Sequence, residues 1–169
     1  LSTRPDLIHP SYAKALERVQ DTCTPVLFAT VREIVEAELG ARLTKLFDDV
    51  DETPVGVASL AQVHRATLRD GRLVALKVQR PDIDVDVERN LEALQSLAKA
   101  AESVSDAARR VGLLDWVGEL RRTLVAELDY RQEAGNLARF ARHLGFEDVL
   151  MVPAPVPHLC TRRVLVMDY

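Results

Sequence analysis

Between Pro54 and Pro81 the chain reads PVGVASLAQVHRATLRDGRLVALKVQRP, and apolar residues there recur with a period of two. The alternation runs on both sides of Arg69-Asp70-Gly71-Arg72, a turn signal, so the stretch predicts an antiparallel hairpin. On the second strand Leu73, Ala75 and Lys77 share one face, and Val74, Leu76 and Val78 share the other. The second face is uniformly apolar and predicts burial. The first carries an ammonium group, which inside a protein needs an anionic partner. Strand alternation leaves two readings of Lys77 open: a paired lysine, or one at a sheet edge whose stem reaches solvent.

Elsewhere the period is helical. Residues 11–20 suggest a short helix after Pro10, and residues 30–40 a stronger one, with Val31, Ile34, Val35 and Leu39 on one stripe. Thr30 with Glu33 fits a capping box, and Gly40 is a natural stop. From Asp84 onward Val87, Leu91, Leu94, Ala98 and Ala101 share a face. Residues 103–112 read as a polar connection, and a second long helical pattern runs over 115–144. Two β-type runs, 148–153 and 162–169, flank the proline-rich PAPVPHLCT. Helices, strands, helices and strands in that order imply an α+β fold with a small antiparallel sheet.

The 169 residues suffice for one good core, and 47% hydrophobic with 28% charged residues is ordinary for a globular domain. A net charge of −4 argues against nucleic acid as the main partner. No stretch is long and apolar enough to span a bilayer, and none resembles a signal peptide. Cys23 and Cys160 follow no metal-ligand spacing and read as free thiols of a reducing compartment. The chain begins at Leu1 and ends on the apolar run VLVMDY, which suggests a piece cut from a longer protein.

The loop before the lysine strand has the spacing of a kinase-type phosphate loop, G-x-G-x-x-G-x-V followed by V-A-I-K. Here the register gives Gly56, Ala58, Ala61 and Val63, then VALK ending at Lys77. Alanine in a left-handed conformation costs about 1–2 kcal/mol, so the expected loop is tighter, more helical and less open than a glycine loop. Within 115–144, ELDYRQEAGN supplies Glu127, Asp129 and Glu133. On an unbroken helix Asp129 and Glu133 lie about 40° apart, with Glu127 well round the axis. Either Glu127 serves another surface or the helix is kinked. The acidic face is either solvated or is the face from which a kinase-type helix offers a glutamate to the strand lysine.

Taken together, VREIVEAELG, VASLAQVHRATLRDGRLVALKVQRP, ELDYRQEAGN and RRVLVMDY resemble blocks of the UbiB family, the aarF-domain-containing atypical protein-kinase-like proteins, over nearly the whole chain. LSTRPDLIHPSY is similar to the family's segment after its Lys-x-Gly-Gln motif, which would lie just before Leu1. The resemblance implies a protein-kinase-like N-lobe with a C-helix and added N-terminal and inserted helices. Residues 1–50 would form a helical extension. Residues 51–169 would form the lobe: hairpin 55–80, inserted helix 84–102, long helix 115–144, and strands 148–153 and 162–169. A C-lobe after Tyr169 would carry the catalytic Asp and Asn and the metal-binding Asp, so the fragment alone is not expected to turn over.

The resemblance also assigns roles. Lys77 corresponds to the lysine on nucleotide phosphates, Glu133 to its helix partner, and Glu127 and Asp129 to the family's Glu-x-Asp motif over the active site. Gly56, Val57, Ala58 and Ser59 form the alanine-rich loop, with Gly56 and Val57 departing from the family's more usual pair of alanines. Val63 and Ala75 would pack on adenine, Met167 would be the gatekeeper, and the backbone of Asp168 and Tyr169 would begin the hinge. Adenine contact by both Val63 and Ala75 requires a three-residue loop, Arg69 to Gly71, with Gly71 left-handed.

The implied ligands are ATP or ADP, with Mg²⁺ held by the C-lobe. Implied partners of the full-length protein are membrane lipid or quinone-biosynthesis proteins, at a cytoplasmic or membrane-peripheral location. His64 reads as a strand residue packed beside the loop, Trp116 as core, and His9, His143 and His158 as isolated. Three functions fit: a kinase-like ATPase supporting isoprenoid quinone or membrane-lipid pathways, a catalytically idle nucleotide-binding regulator, or a helical interaction domain with a structural lysine.

Overall fold

A computed structural model describes residues 24–144 and 151–169; the helix expected at 11–20 lies outside them. Five strands form one antiparallel sheet: β1 (Phe47–Val50), β2 (Gly56–Val57), β3 (Ala61–Leu68), β4 (Leu73–Gln79) and β5 (Val164–Asp168). The order is β1-β3-β4-β5, and β2 shares the outer edge of β3 with β1. Thr67 pairs with Leu73, and the Gly71 N–H donates to the Leu68 carbonyl at 2.9 Å, so the hairpin loop is Arg69–Gly71. Gly71 has φ 86° and supplies the left-handed residue that such a loop requires. The odd loop length sets Val63 opposite Lys77.

That register sorts the sheet into two faces. Val74, Leu76, Val78, Val164 and Val166 are fully buried on one, against Val31, Ile34 and Val35 of α1 (Phe28–Leu39). Gly40 ends α1 in the left-handed conformation expected of it. The expected capping box at Thr30 and Glu33 does not form: α1 starts at Phe28, Leu27 is the N-cap, and no side chain caps it. The cause is a tie further upstream. The Val26 N–H donates to Gln62 Oε1 at 2.8 Å, and Gln62 Nε2 donates to the Val26 carbonyl at 3.2 Å, which turns the chain into the helix early.

The same carboxamide continues inward. Gln62 Nε2 lies 2.8 Å from His64 Nε2, and His64 Nδ1 lies 2.8 Å from the Asp51 carbonyl. A carbonyl only accepts, so Nδ1 carries the proton and Nε2 receives the Gln62 donor. His64 is wholly buried on β3 with both ring nitrogens engaged, which leaves nothing for general-base work. Gln62→Leu strands the Val26 backbone groups and His64 Nε2 together. The expected cost is about 1–3 kcal/mol in urea denaturation; a change within error would remove this chain of bonds from the account of stability.

The remaining helices are α2 (Leu43–Leu46), α3 (Ile83–Val104), α4 (Asp106–Val111), α5 (Leu113–Glu127) and α6 (Tyr130–Leu144). Several expectations are corrected. The helical extension placed over 1–50 ends instead in a strand, because β1 pairs with β3 from Phe47 onward. The polar connection 103–112 contains α4, capped by Ser105 Oγ accepting from the Ala108 N–H. The single helix expected over 115–144 is two helices, broken at Leu128–Asp129. Of the strand expected at 148–153, residues 148–150 lie outside the described residues and 151–153 form no strand.

Pairing with β5 comes later instead. The Val156 N–H donates to the Val166 carbonyl and the Asp168 N–H to the Ala154 carbonyl. Pro153, Pro155 and Pro157 lack the alternate donors that a regular ladder needs. Trp116 is 60% exposed rather than core: α3 and α5 pack against each other, and Leu91, Ala98 and Val117 are their buried residues, while Trp116 is left uncovered.

Candidate functional site

Lys77 lies on a strand paired on both edges, opposite Val63 on β3 and Leu165 on β5, and Gly56 pairs with Val63 in turn. Laterally paired residues of an antiparallel sheet point to the same side, so Gly56, Val63, Lys77 and Leu165 form one row. Arg65, Ala75 and Met167 form the next row on that face. Val63 and Ala75 therefore share a face, and the parity that adenine contact requires is met.

The start of α6 covers this face. Tyr130 buries against Ala61 and Leu165, with Ala134, Leu137 and Met167 around them. Tyr130 and Glu133 are three residues apart and therefore neighbours on the helix. Lys77 Nζ donates to Glu133 Oε2 at 2.8 Å and to Oε1 at 2.9 Å, and it stands 4.6 Å from the centre of the Tyr130 ring. The side chains of Lys77 and Glu133 are 25% and 37% exposed, so the pair is neither surface nor sealed core. Burial, reinforced by Glu133 and Glu127, pushes the Tyr130 phenol well above its ordinary range.

The break at Leu128–Asp129 resolves the geometry of the third carboxylate. Glu127 ends α5, and Asp129 sits between the helices, accepting from the Arg131 N–H at 3.1 Å and from its guanidinium at 2.9 and 2.7 Å. Arg131 holds the Asp129 carboxyl below the usual carboxylate range. Lys77, Glu127, Asp129 and Glu133 thereby line one cavity of about 530 Å³, together with Gln132 and Asn136. A groove of similar volume between α3, α5 and Arg162 contains none of the expected site residues.

The remaining residues singled out by sequence lie along the sheet rather than in that cavity. Ala58 and Ser59 are exposed at the tip between β2 and β3, where the Ala58 N–H donates to the Ala61 carbonyl at 2.8 Å. The loop is a tight turn and not the helical one expected. Among the described residues Asp82 is the only non-glycine with a left-handed φ, so neither Ala58 nor Ala61 carries the strain foreseen for them. Gly56 also has an ordinary φ, and a Cβ there would meet nothing within 4 Å. Gly56→Ala is therefore expected to stabilise the protein by about 0.4–1 kcal/mol through the unfolded chain, read as a higher denaturation midpoint. A lower midpoint would mean that this loop depends on glycine.

At the far end, the Asp168 N–H is taken by the Ala154 carbonyl at 2.9 Å, and the Tyr169 N–H points to the Leu73 carbonyl at 3.4 Å. Both of these N–H groups are therefore engaged within the chain. Sequence reasoning missed Tyr130, Arg131 and Gln79. Tyr130 was within reach, three residues before Glu133 on a helix. Gln79 was too, two residues beyond Lys77 on a strand.

A family model described as the ABC1 atypical kinase-like domain matches residues 18–169. The chain is 38% identical over 169 residues to the Probable protein kinase UbiB of Aeromonas hydrophila, covering 99% of this chain and 31% of that protein. It is 38% identical over 173 residues to the protein of the same name from Haemophilus ducreyi, covering 99% and 32%. Among solved structures, the Mycobacterium tuberculosis protein Rv3197, determined in complex with erythromycin, matches with a TM-score of 0.73 at 30% identity, covering 98% of this chain and 40% of that one. The chain thus spans about a third of the length of these curated relatives.

Proposed function

The chain belongs to the ABC1 atypical kinase-like family, and on that premise we propose that it is the nucleotide-binding N-lobe of an atypical kinase-like phosphotransferase or ATPase. The observation that carries the reading is the Lys77 ammonium, held by both oxygens of Glu133 at the wall of the acidic cavity. In protein kinases a strand lysine serves the nucleotide phosphates only when a helix glutamate holds it in place. The face parity of Val63 and Ala75, with Met167 beside Ala75, suits a flat base laid on the sheet. Gly56 and Val57 of β2, with Ala58 and Ser59 in the turn that follows, lie at the near edge.

The donor set fits a nucleotide accompanied by a cation. The Lys77 ammonium and the Arg131 guanidinium on Asp129 stand against three carboxylates, Glu127, Asp129 and Glu133, so a bare polyphosphate would still meet net repulsion. Bound Mg²⁺ supplies charge neutralisation of the phosphate oxygens in kinase-type sites. We place its ligands in the part of the relatives' length that this chain does not span. Support for isoprenoid quinone biosynthesis or membrane-lipid metabolism, through lipid or protein partners at a membrane, belongs to the same proposal. No helix among the described residues is long and apolar enough to cross a membrane.

The test is thermal denaturation of the full-length protein with ATP or ADP, with and without Mg²⁺ and lipid. Nucleotide at a hundred times its Kd stabilises by about 2.7 kcal/mol. A folded protein with no nucleotide-dependent shift overturns the reading and favours a helical interaction domain. Binding without turnover favours an idle regulator.

Glu127 and Asp129 act on this reading as a gate, since carboxylates over the site repel an acidic protein substrate. The intact protein is then a poor protein kinase and a slow ATPase. Asp129→Asn keeps an oxygen for the Arg131 N–H but loses the charge. It should leave nucleotide affinity within about tenfold, ~1.4 kcal/mol, while turnover or autophosphorylation changes. Robust phosphorylation of generic peptides by the unaltered protein would overturn the gate.

A further inference from the structure

Gln79 closes β4, two residues beyond Lys77 and on the same face of the sheet. It is 3% exposed. Its Nε2 donates to the Leu128 carbonyl at 2.7 Å and to the Arg162 carbonyl at 3.3 Å. Leu128 is the C-cap of α5, and its carbonyl is among those that a helix end leaves without an intrahelical partner. Tyr130 opens α6, and its N–H, an orphan donor of that end, reaches the same Arg162 carbonyl at 3.1 Å. One buried carboxamide therefore joins the end of one helix to the acceptor that holds the start of the next.

We propose that Gln79 is a positioning residue of the candidate site, setting the phase of the α5–α6 break against the strand that carries Lys77. Through Leu128 it fixes where Glu127 and Asp129 leave α5. Through Arg162 it fixes the first turn of α6, which brings the Tyr130 ring and the Glu133 carboxylate to Lys77. The break, Glu127-Leu128-Asp129-Tyr130, contains neither glycine nor proline; Asp129 caps the start of α6 by accepting from the Arg131 N–H, but nothing local ties the break to the strand. Both acceptors are carbonyls, which call for two N–H donors, and burial at this position disfavours a charged one. Leucine fills a similar volume and donates nothing. Asparagine keeps the donors one methylene short.

The consequence for ligand affinity rests on the nucleotide reading above; the geometric claim does not. Gln79→Leu and Gln79→Asn are made in the full-length protein, with Val31→Ala as a control that weakens the opposite face of the sheet. Two quantities are measured below the unfolding transition. One is the acylation rate of Lys77 relative to exposed Lys45, by mass spectrometry. The other is affinity for Mg-ADP, by calorimetry. Lys77 released from Glu133 and Tyr130 should label severalfold faster in both Gln79 variants, and affinity should fall about tenfold, with neither changed in the control. A Gln79 variant that lowers the melting temperature as the control does, yet keeps the wild-type labelling ratio and affinity, overturns the proposal. If the wild type binds no Mg-ADP, the proposed function fails, and the labelling ratio alone decides the role of Gln79. If Gln79→Leu does not fold, Gln79→Asn decides on the same readings.

Discussion

Lys77→Met in the full-length protein is expected to lower nucleotide affinity by about 10- to 100-fold, since hydrogen bonds to charged groups contribute ~1.5–3 kcal/mol. Its effect on stability has a different source. Without the ammonium, Glu133 is left facing Glu127 and Asp129 in one cavity. Fully buried pairs lose ~3–5 kcal/mol when one partner is removed, and exposed pairs contribute at most ~1 kcal/mol. Side chains 25% and 37% exposed lie between these limits. A double-mutant cycle of Lys77→Met with Glu133→Gln should therefore give a coupling of about 1–2 kcal/mol, with the double variant more stable than the two single effects predict. A coupling indistinguishable from zero would mean that the two side chains meet without holding each other. The lysine strand would then owe its place to the sheet alone.

The sequence placed Lys77 well because strand alternation is a local property. Val74, Leu76 and Val78 needed a core, which left Lys77 on the other side, and Asp70-Gly71 carried the loop chemistry that set the register. Gly40 was legible for the same reason: a left-handed helix stop is written in one residue. The break at Leu128–Asp129 was less so: Asp129 caps the second helix locally, but the Gln79 amide and the Arg162 carbonyl, which tie the break to the sheet, come from far along the chain. The conflict in angle between Glu127 and Asp129 signalled it, and so did Asp129 as a helix-capping residue type. The start of α1 failed similarly, since Gln62, 36 residues downstream of Val26, overrides the local capping signal. β1 is Phe47-Asp48-Asp49-Val50, too short and too acidic to announce a strand, and only pairing with β3 makes it one. Trp116 shows the reverse error: an apolar residue on a helical pattern says which face is apolar, not whether anything covers it.

Tyr130→Ala should be the most destabilising single change at the site, and Tyr130→Phe nearly silent at neutral pH. The ring is buried against Ala61 and Leu165 and lies under the Lys77 ammonium. Truncating a buried aromatic residue costs about 3–5 kcal/mol, and the cation over the ring adds ~0.5–2 kcal/mol. Phenylalanine keeps both terms. The two residues part company in alkali. Burial, with Glu133 and Glu127 adding to it, raises the folded-state pKa of the phenol. An acid whose pKa is raised on folding holds its proton longer in the folded state than in the unfolded chain, where tyrosine titrates near pH ~10. Its contribution is complete below that pH and is lost as pH rises from there towards the folded value. Denaturation midpoints of the wild type should therefore fall more steeply above pH ~10 than those of Tyr130→Phe. If Tyr130→Phe is instead as damaging as Tyr130→Ala at neutral pH, the hydroxyl rather than the ring supports Lys77. The contact that positions the ammonium would then be a hydrogen-bonded one, and the stacking geometry incidental.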